Sequence, residues 1–231
     1  VKSRDPSTTE ALAAGGLDFV IADLEHSSLS VHDVEAIARA GAAWNLPVLA
    51  RVPPAGLGLV GALLDAGAAG IQVSDVTSTE LARQAEAAAH YPPRGQRSLS
   101  LATRAGSFGM TSAAEHVATS DRETVLIGQI ESASGLAALS DIIEARAFSA
   151  LFIGPSDLSL SLGHPGDLGH PAVADALAKT AATILDSGTP LGIACPTTAV
   201  AAGWAARGAT LLAISSDVGL LASAAAAIRR P

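Results

Sequence analysis

The sequence predicts an α/β fold, with one parallel sheet rolled into a (β/α)8 barrel of the TIM type. Three observations carry that prediction. Short, continuously apolar runs recur along the 231 residues, helix-length amphipathic stretches separate them, and a glycine repeatedly stands where a helix gives way to the next run. Runs that are apolar throughout, rather than alternating, suit strands covered on both faces, as in a parallel sheet flanked by crossover helices.

Thr8 to Ala14 reads as a helix closed by Gly15-Gly16, and it leads into the first full run, Asp18 to Asp23. Further strands are expected at Pro47 to Val52, Gly70 to Val73, Val125 to Ile130, Ala150 to Ile153, Leu191 to Ala194 and Thr210 to Ile214, seven in all. Between them, Val31 to Ala43, Ser78 to His90, Leu136 to Ala145 and Ala172 to Ser187 are each long enough for a crossover helix. Gly67 and Gly208 repeat the glycine that ends a helix in the left-handed conformation just before a strand. Because a helix precedes the first full run, an eighth strand is expected ahead of it, truncated to Val1-Lys2. That completes a barrel slightly shorter than the usual length of about 250 residues. The chain begins at Val1 rather than Met, which leaves trimming of its first residues open.

No Ser/Gly-rich stretch or charge run divides the chain, so residues 1–231 read as one catalytic domain. Two segments interrupt the repeat: His90 to Ala118, with Tyr91-Pro92-Pro93-Arg94-Gly95-Gln96-Arg97, and Ser159 to Pro171. Both are expected as elaborated loops over the barrel mouth. A doubly wound open sheet is the alternative architecture, but no glycine-rich dinucleotide fingerprint follows an early strand.

Composition narrows the partners. Hydrophobic residues make up 49% and aromatic ones only 3%, so the core must be built from Ala, Val, Leu and Ile. A net charge of −8 argues against a nucleic-acid or anionic-membrane surface, while a local pocket can still hold a small anion. No apolar run approaches the about 18 residues that span a bilayer, and none reads as a signal peptide. The single Cys195 excludes an internal disulfide and a cysteine metal cluster, so a cytoplasmic protein is expected.

In a barrel, polar groups that follow the strands converge on one rim. Asp23-Leu24-Glu25-His26, Gln129-Ile130-Glu131 and Gly154-Pro155-Ser156-Asp157-Leu158 all end or follow apolar runs. Glu131 and Asp157 fall on neighbouring strand ends, and two carboxylates with open positions suit a hard cation such as Mg²⁺ or Mn²⁺. Taken singly, each reads equally well as a loop or helix cap. The backbone amides of Ser156 and Asp157, beside Gly154 and Pro155, suit a carboxylate. His26 supplies an imidazole, the side chain whose titration near neutrality suits a general base, and Asp23 and Glu25 either orient it or are solvated.

Arg51 ends a buried run and needs an anion there, either a structural partner in Asp65 or Glu25 or a substrate enolate oxygen. Asp65, within Leu63-Leu64-Asp65-Ala66-Gly67, needs a partner that its position does not identify. No Gly-x-Ser-x-Gly nucleophile occurs, and Lys2 and Lys179 are the only lysines. A Schiff-base aldolase is therefore disfavoured, which turns carbanion chemistry towards a metal.

Together and in this order, several segments resemble the HpcH/HpaI family of class II pyruvate aldolases over essentially the whole chain. They are Gly16-Leu17-Asp18-Phe19, Asp23 to His26, Arg51, Leu64-Asp65-Ala66-Gly67-Ala68, Tyr91-Pro92-Pro93 with Gly95-Gln96-Arg97, Gln129-Ile130-Glu131-Ser132, and Phe152 to Ser159 with Leu162-Gly163. The resemblance implies reversible, metal-dependent aldol cleavage of 4-hydroxy-2-oxo acids to pyruvate, or a close 2-oxo acid, and an aldehyde. It implies Glu131 and Asp157 as ligands of Mg²⁺, Mn²⁺ or Co²⁺, and Gln129, Gly154, Pro155, Ser156 and Asp157 as the grip on the keto acid. Arg51 resembles the arginine that stabilises the enolate, and His26 with Asp65 resembles a dyad that moves a proton through water.

A homo-oligomer, typically a hexamer with helices exchanged between subunits, is also implied. Ser74, Ser98 and Phe108 depart from the usual proline, glycine and tyrosine, and they are expected near the mouth, on the acceptor aldehyde's side. Other enolate chemistry at the same site is the alternative, either oxaloacetate decarboxylation or an acyl-CoA lyase. For a thioester's phosphates, Arg94, Arg97 and Arg104 offer only a thin basic surface. A non-catalytic keto-acid-binding barrel is disfavoured by the intact set of His26, Arg51, Asp65, Glu131 and Asp157.

Overall fold

The seven apolar runs form seven parallel strands in a computed structural model that describes residues 1–229. They are β1 (Val20–Asp23), β2 (Val48–Val52), β3 (Gly70–Val73), β4 (Val125–Ile130), β5 (Ala150–Ile153), β6 (Leu191–Cys195) and β7 (Leu211–Ile214). Each pairs with the next in chain order, giving one curled sheet ordered β1 to β7. The helices are α1 (Pro6–Ala14), α2 (Val31–Ala43), α3 (Val60–Asp65), α4 (Thr79–Ala89), α5 (Ala113–Glu123), α6 (Ala133–Ala137), α7 (Leu139–Ala145), α8 (Pro155–Ser161), α9 (Pro171–Asp186), α10 (Thr198–Ala205) and α11 (Asp217–Ala227). The single helix expected over Leu136 to Ala145 is thus divided, because the backbone leaves the α conformation at Ala138. No described helix is long and apolar enough to cross a membrane.

Local chemistry sets the turns at the strands' C-terminal ends. Ser30, Ser78, Ser132, Thr197 and Ser216 each cap the helix after a strand, their side chains accepting a first-turn backbone N–H. At Ser30 the exchange is reciprocal, since Asp33 accepts from the Ser30 N–H at 2.7 Å.

The two faces of the sheet bury different cores. Outward-facing Ala22, Ile71, Val73, Ile130, Leu151, Ile153 and Ile193 pack against the helices in the larger core. Inside the curl, Leu49, Ile127, Ala150 and Phe152 are buried, with Phe19, Ile21 and Leu211 packed against them. Gly192 permits this inner packing, because a Cβ there would collide with the Phe152 ring and lie 2.9 Å from Leu211 Cδ2.

The outer edge of β1 is also occupied. Val1 N donates to Ile21 O at 2.5 Å, and Asp23 N donates to Val1 O at 3.0 Å, the pattern of a parallel neighbour. The backbone N–H groups of Lys2 and Ser3 then donate to the Asp217 carboxylate at the start of α11, at 3.0 and 2.8 Å. Residues 1–3 therefore tie β1 to the helix that follows β7.

One expectation is corrected. Residues 90–112 do not cover the C-terminal rim but lie at the opposite end, where the strands begin. The reason is topological, since α4 carries the chain back from the rim and everything between α4 and β4 stays at the start of the strands. Ala105 N donates to Asp65 O at 3.3 Å, just ahead of β3, and the expected loop's last residues are absorbed into α5. Ser98 and Phe108 therefore lie away from the mouth, whereas Ser74 and residues 162–170 remain at the rim.

Gly192→Ala is expected to lower the free energy of unfolding in urea by about 1–3 kcal/mol, since the buried Phe152 ring must shift to admit a methyl group.

Candidate active site

At the end of β1, Asp23 is 4% exposed and accepts hydrogen bonds from four donors. Arg51, its registered neighbour on β2, donates from Nε to Oδ1 at 3.0 Å and from Nη2 to Oδ2 at 2.7 Å. The backbone N–H groups of Glu25 and His26 both donate to Oδ1 at 3.2 Å, which folds the turn over the carboxylate. Burial pushes the Asp23 carboxyl up, but the Arg51 hydrogen bonds and charge outweigh it and hold the group at about 2. Of the partners expected for Arg51, Glu25 is 3.5 Å away as a secondary one and Asp65 is not in contact. Asp23 is the principal anion.

Glu25 bridges towards β3. Its Oε1 accepts from Ser74 Oγ at 2.6 Å, and its Oε2 is 3.8 Å from Nε2 of His26. The His26 side chain is 53% exposed and faces the rim.

On the other side, Glu131 ends β4 and is 6% exposed. Its Oε1 accepts from the backbone N–H of Asp75 at 2.9 Å, and its Oε2 accepts from Gln129 Nε2. Asp75 adopts a left-handed backbone (φ 42°) that aims its N–H at Glu131, and its carboxylate accepts from Ser132 Oγ at 2.6 Å. Burial pushes the Glu131 carboxyl up to about 7, and the nearby charges of Asp157 and Glu25 act in the same direction. Gly154 is the cap of α8, and Pro155, Ser156 and Asp157 form that helix's first turn. A Cβ at Gly154 would lie 2.9 Å from Gln129 Nε2 and collide with Glu131, so only glycine leaves the carboxylate reachable.

The structure thus brings Asp23, Glu25, His26, Arg51, Gln129, Glu131 and residues 154–157 to one rim. It does not bring Asp65 there. Asp65 accepts from Arg97 Nη2 at 2.5 Å at the far end of the sheet, and Arg97 stacks over the Tyr91 ring at 4.7 Å. Sequence reading gave no role to Gln72 on β3, nor to Asp75 beyond it, and knew Ser74 only as a departure. The available signal was polarity at alternate positions 72 and 74 of a strand otherwise apolar.

A cation suits this arrangement. Among the described residues no three His, Cys, Asp or Glu side chains are grouped to hold a metal ion by themselves. Glu131 and Asp157 nevertheless offer carboxylate oxygens on one rim, and a carboxyl raised by burial and by neighbouring negative charge is relieved by a positive one.

A parallel α/β sheet with carboxylates and an arginine gathered at its C-terminal rim is the arrangement of a small-molecule enzyme. The chain belongs to the HpcH/HpaI aldolase/citrate lyase family, whose model matches residues 1–224. It is 35% identical over 222 residues to a 5-keto-4-deoxy-D-glucarate aldolase from Shigella dysenteriae, covering 95% of this chain and 85% of the relative. A solved HpcH/HpaI aldolase/citrate lyase family protein from Burkholderia cenocepacia superposes with a TM-score of 0.91 at 33% identity, covering 98% of this chain and 90% of that one. A solved macrophomate synthase matches at 27% identity and a TM-score of 0.82, covering 97% and 82%. The protein is a carbon–carbon lyase.

The raised Glu131 carboxyl has a consequence for stability without metal. A carboxyl lifted from its ordinary 4.5 to about 7 favours folding below pH 4.5, and that contribution is lost as pH rises through 7. Metal-stripped Glu131→Gln is therefore expected to gain about 2 kcal/mol on wild type between pH 5 and pH 8, read from urea unfolding at both values.

Proposed function

We propose that this protein is a divalent-metal-dependent aldolase that reversibly cleaves 4-hydroxy-2-oxo acids to pyruvate, or a close 2-oxo acid, and an aldehyde. The observation that carries this reading is the buried Glu131 carboxyl, pushed up to about 7 near Asp157, on the same rim as the Arg51 guanidinium. Glu131 and Asp157 would hold Mg²⁺, Mn²⁺ or Co²⁺. When bound, the cation supplies Lewis acidity to the keto-acid carbonyl.

The chain's own groups account for the rest. Gln129 and the α8 entry, Gly154, Pro155, Ser156 and Asp157, orient the keto acid. Arg51, fixed through two bonds to Asp23, keeps guanidinium N–H donors for the oxygen that gains charge as the bond breaks. His26 receives the proton of the 4-hydroxyl through water. The electron pair of the C3–C4 bond moves towards the carbonyl, the aldehyde departs, and proton return to C3 gives pyruvate.

The relative's name guides the first substrate to try. 5-Keto-4-deoxy-D-glucarate carries a ketone beside one carboxylate, then a methylene, then a hydroxyl-bearing carbon. Counted from that carboxylate, it is a 4-hydroxy-2-oxo acid. The acyl-CoA alternative is weakened by the placement of Arg94 on Glu86 at 2.9 Å and of Arg97 on Asp65, both remote from the mouth.

We also read residues 1–3 as part of the strand that closes a (β/α)8 barrel between β7 and β1, and residues 1–231 as one catalytic domain. A homo-oligomer is supported by α11, whose Leu221 is 72% exposed, and by Ile228 beyond it, 84% exposed.

Metal-stripped protein, resupplied with Mn²⁺ or Mg²⁺, is expected to release pyruvate from 5-keto-4-deoxy-D-glucarate, and Glu131→Ala to abolish that release. Carbon dioxide from oxaloacetate with no pyruvate from any 4-hydroxy-2-oxo acid would overturn the reading in favour of a decarboxylase. Arg51→Lys is expected to lower kcat by about 100-fold or more, because lysine lacks the fork that holds Asp23 and the reacting oxygen together. Wild-type turnover in that variant would make Arg51 purely structural.

A further inference from the structure

We propose that Gln72 is a positioning residue that acts through Gln129 to fix the orientation of the Glu131 carboxylate. The inference rests on the reading of Glu131 as a metal ligand and deepens it. Alternation places Gly70, Gln72 and Ser74 on the inner face of β3, while Ile71 and Val73 face the helices. Ser74 reaches Glu25 on one side of the mouth, and Gln72 reaches Gln129 on the other. A strand that supplies neither metal ligand nor general base thus supports both halves of the site.

The hydrogen-bond chain has a direction. Gln72 Nε2 donates to Gln129 Oε1, and Gln129 Nε2 donates to Glu131 Oε2. An ionised carboxylate only accepts, whereas a primary amide donates at one end and accepts at the other. With Glu131 ionised, as a metal ligand must be, Gln129 turns its NH₂ to Glu131 and its carbonyl to β3, where a donor has to meet it. An apolar residue at position 72 would leave Gln129 Oε1 buried without that donor. The amide could then turn over and set oxygen against oxygen at Glu131.

The chain ends at Gln72 Oε1, a buried atom with no hydrogen-bond partner, on a side chain only 2% exposed. An unsatisfied amide oxygen destabilises a protein interior, and apolar residues of similar volume at both 72 and 129 would avoid it. A local sequence choice that opposes stability is expected where a site needs it. Here the need is a fixed donor direction at the carboxylate two strands' widths across the mouth from Arg51.

The test uses metal-stripped wild type, Gln72→Leu, Gln129→Met and the double variant, each titrated with Mn²⁺ while free Mn²⁺ is followed by electron paramagnetic resonance. Thermal midpoints are measured alongside. Gln72→Leu is expected to bind Mn²⁺ about tenfold more weakly while still unfolding in one cooperative transition. The double variant is expected to bind no more weakly than Gln129→Met alone, because the effect passes through Gln129. Gln72→Met, close to glutamine in length, replaces the leucine variant if that one fails to fold.

Unchanged Mn²⁺ affinity in a folded position-72 variant would overturn the inference. So would a weakening that adds in full to that of Gln129→Met, which is the mark of a role that does not pass through Gln129. Wild type that binds no Mn²⁺ would overturn the metal reading itself, and this inference with it.

Discussion

The pairing of Asp23 with Arg51 is the constraint on which the rest of the rim depends. The two are registered partners at the ends of β1 and β2, so their side chains leave the sheet together into the space inside the curl. Neither charge is tolerable there alone, and removing one partner of such a buried pair typically costs about 3–5 kcal/mol. Once formed, the pair organises its surroundings. The Asp23 carboxylate also collects the N–H groups of Glu25 and His26, so the turn that presents the imidazole is built on the anion that anchors the arginine. Arg51 is thereby held in one orientation by Asp23, the preorganisation that its proposed role towards a substrate oxygen would need.

The two sides of the mouth are electrostatically unlike. Asp23 and Glu131 are both buried carboxyls at strand ends, yet one is held at about 2 and the other pushed up to about 7. Burial raises both, and the difference is the company. Asp23 has a guanidinium in contact, whereas the groups in contact with Glu131 are neutral donors and the charges of Asp157 and Glu25 lie nearby. The rim thus satisfies one carboxylate internally and leaves the other short of positive charge, which is the asymmetry that the proposed metal reading uses. It also explains why Gly154, rather than any residue with a Cβ, stands over Glu131.

Much of this was legible because parallel strands covered on both faces must be apolar throughout, and polar residues directly after such runs are conspicuous. Asp23, Arg51, Glu131 and Asp157 stand out for that reason. The partner of Arg51 was less legible, since Asp23 lies next to Glu25 in the chain and only strand register selects it. The location of residues 90–112 was not legible. Whether an irregular stretch falls at the start or the end of the strands depends on which helix precedes it, and α5 was hidden within the stretch. The same misplacement put Ser98 and Phe108 at the mouth. Gln72 escaped notice because one amide inside a short apolar run is invisible until alternation assigns it to the inner face.

The position of Asp65 separates it from the other residues expected at the site. It ends α3 just before β3 begins, so it lies at the start of the strands, while His26 follows the end of β1 at the opposite rim. Within one chain the height of the sheet separates the two, and Arg97 already satisfies one Asp65 oxygen. The Asp65 side chain is still 26% exposed and so remains reachable from outside. If the aspartate and histidine form the proton-moving dyad that the family resemblance implies, the aspartate must come from a second copy, one that turns the start of its strands towards this mouth. Residues 90–112 of that copy would then arrive with it. On that geometry Phe108, which is 68% exposed here, would return to the acceptor side of the site as a neighbour's residue rather than the chain's own.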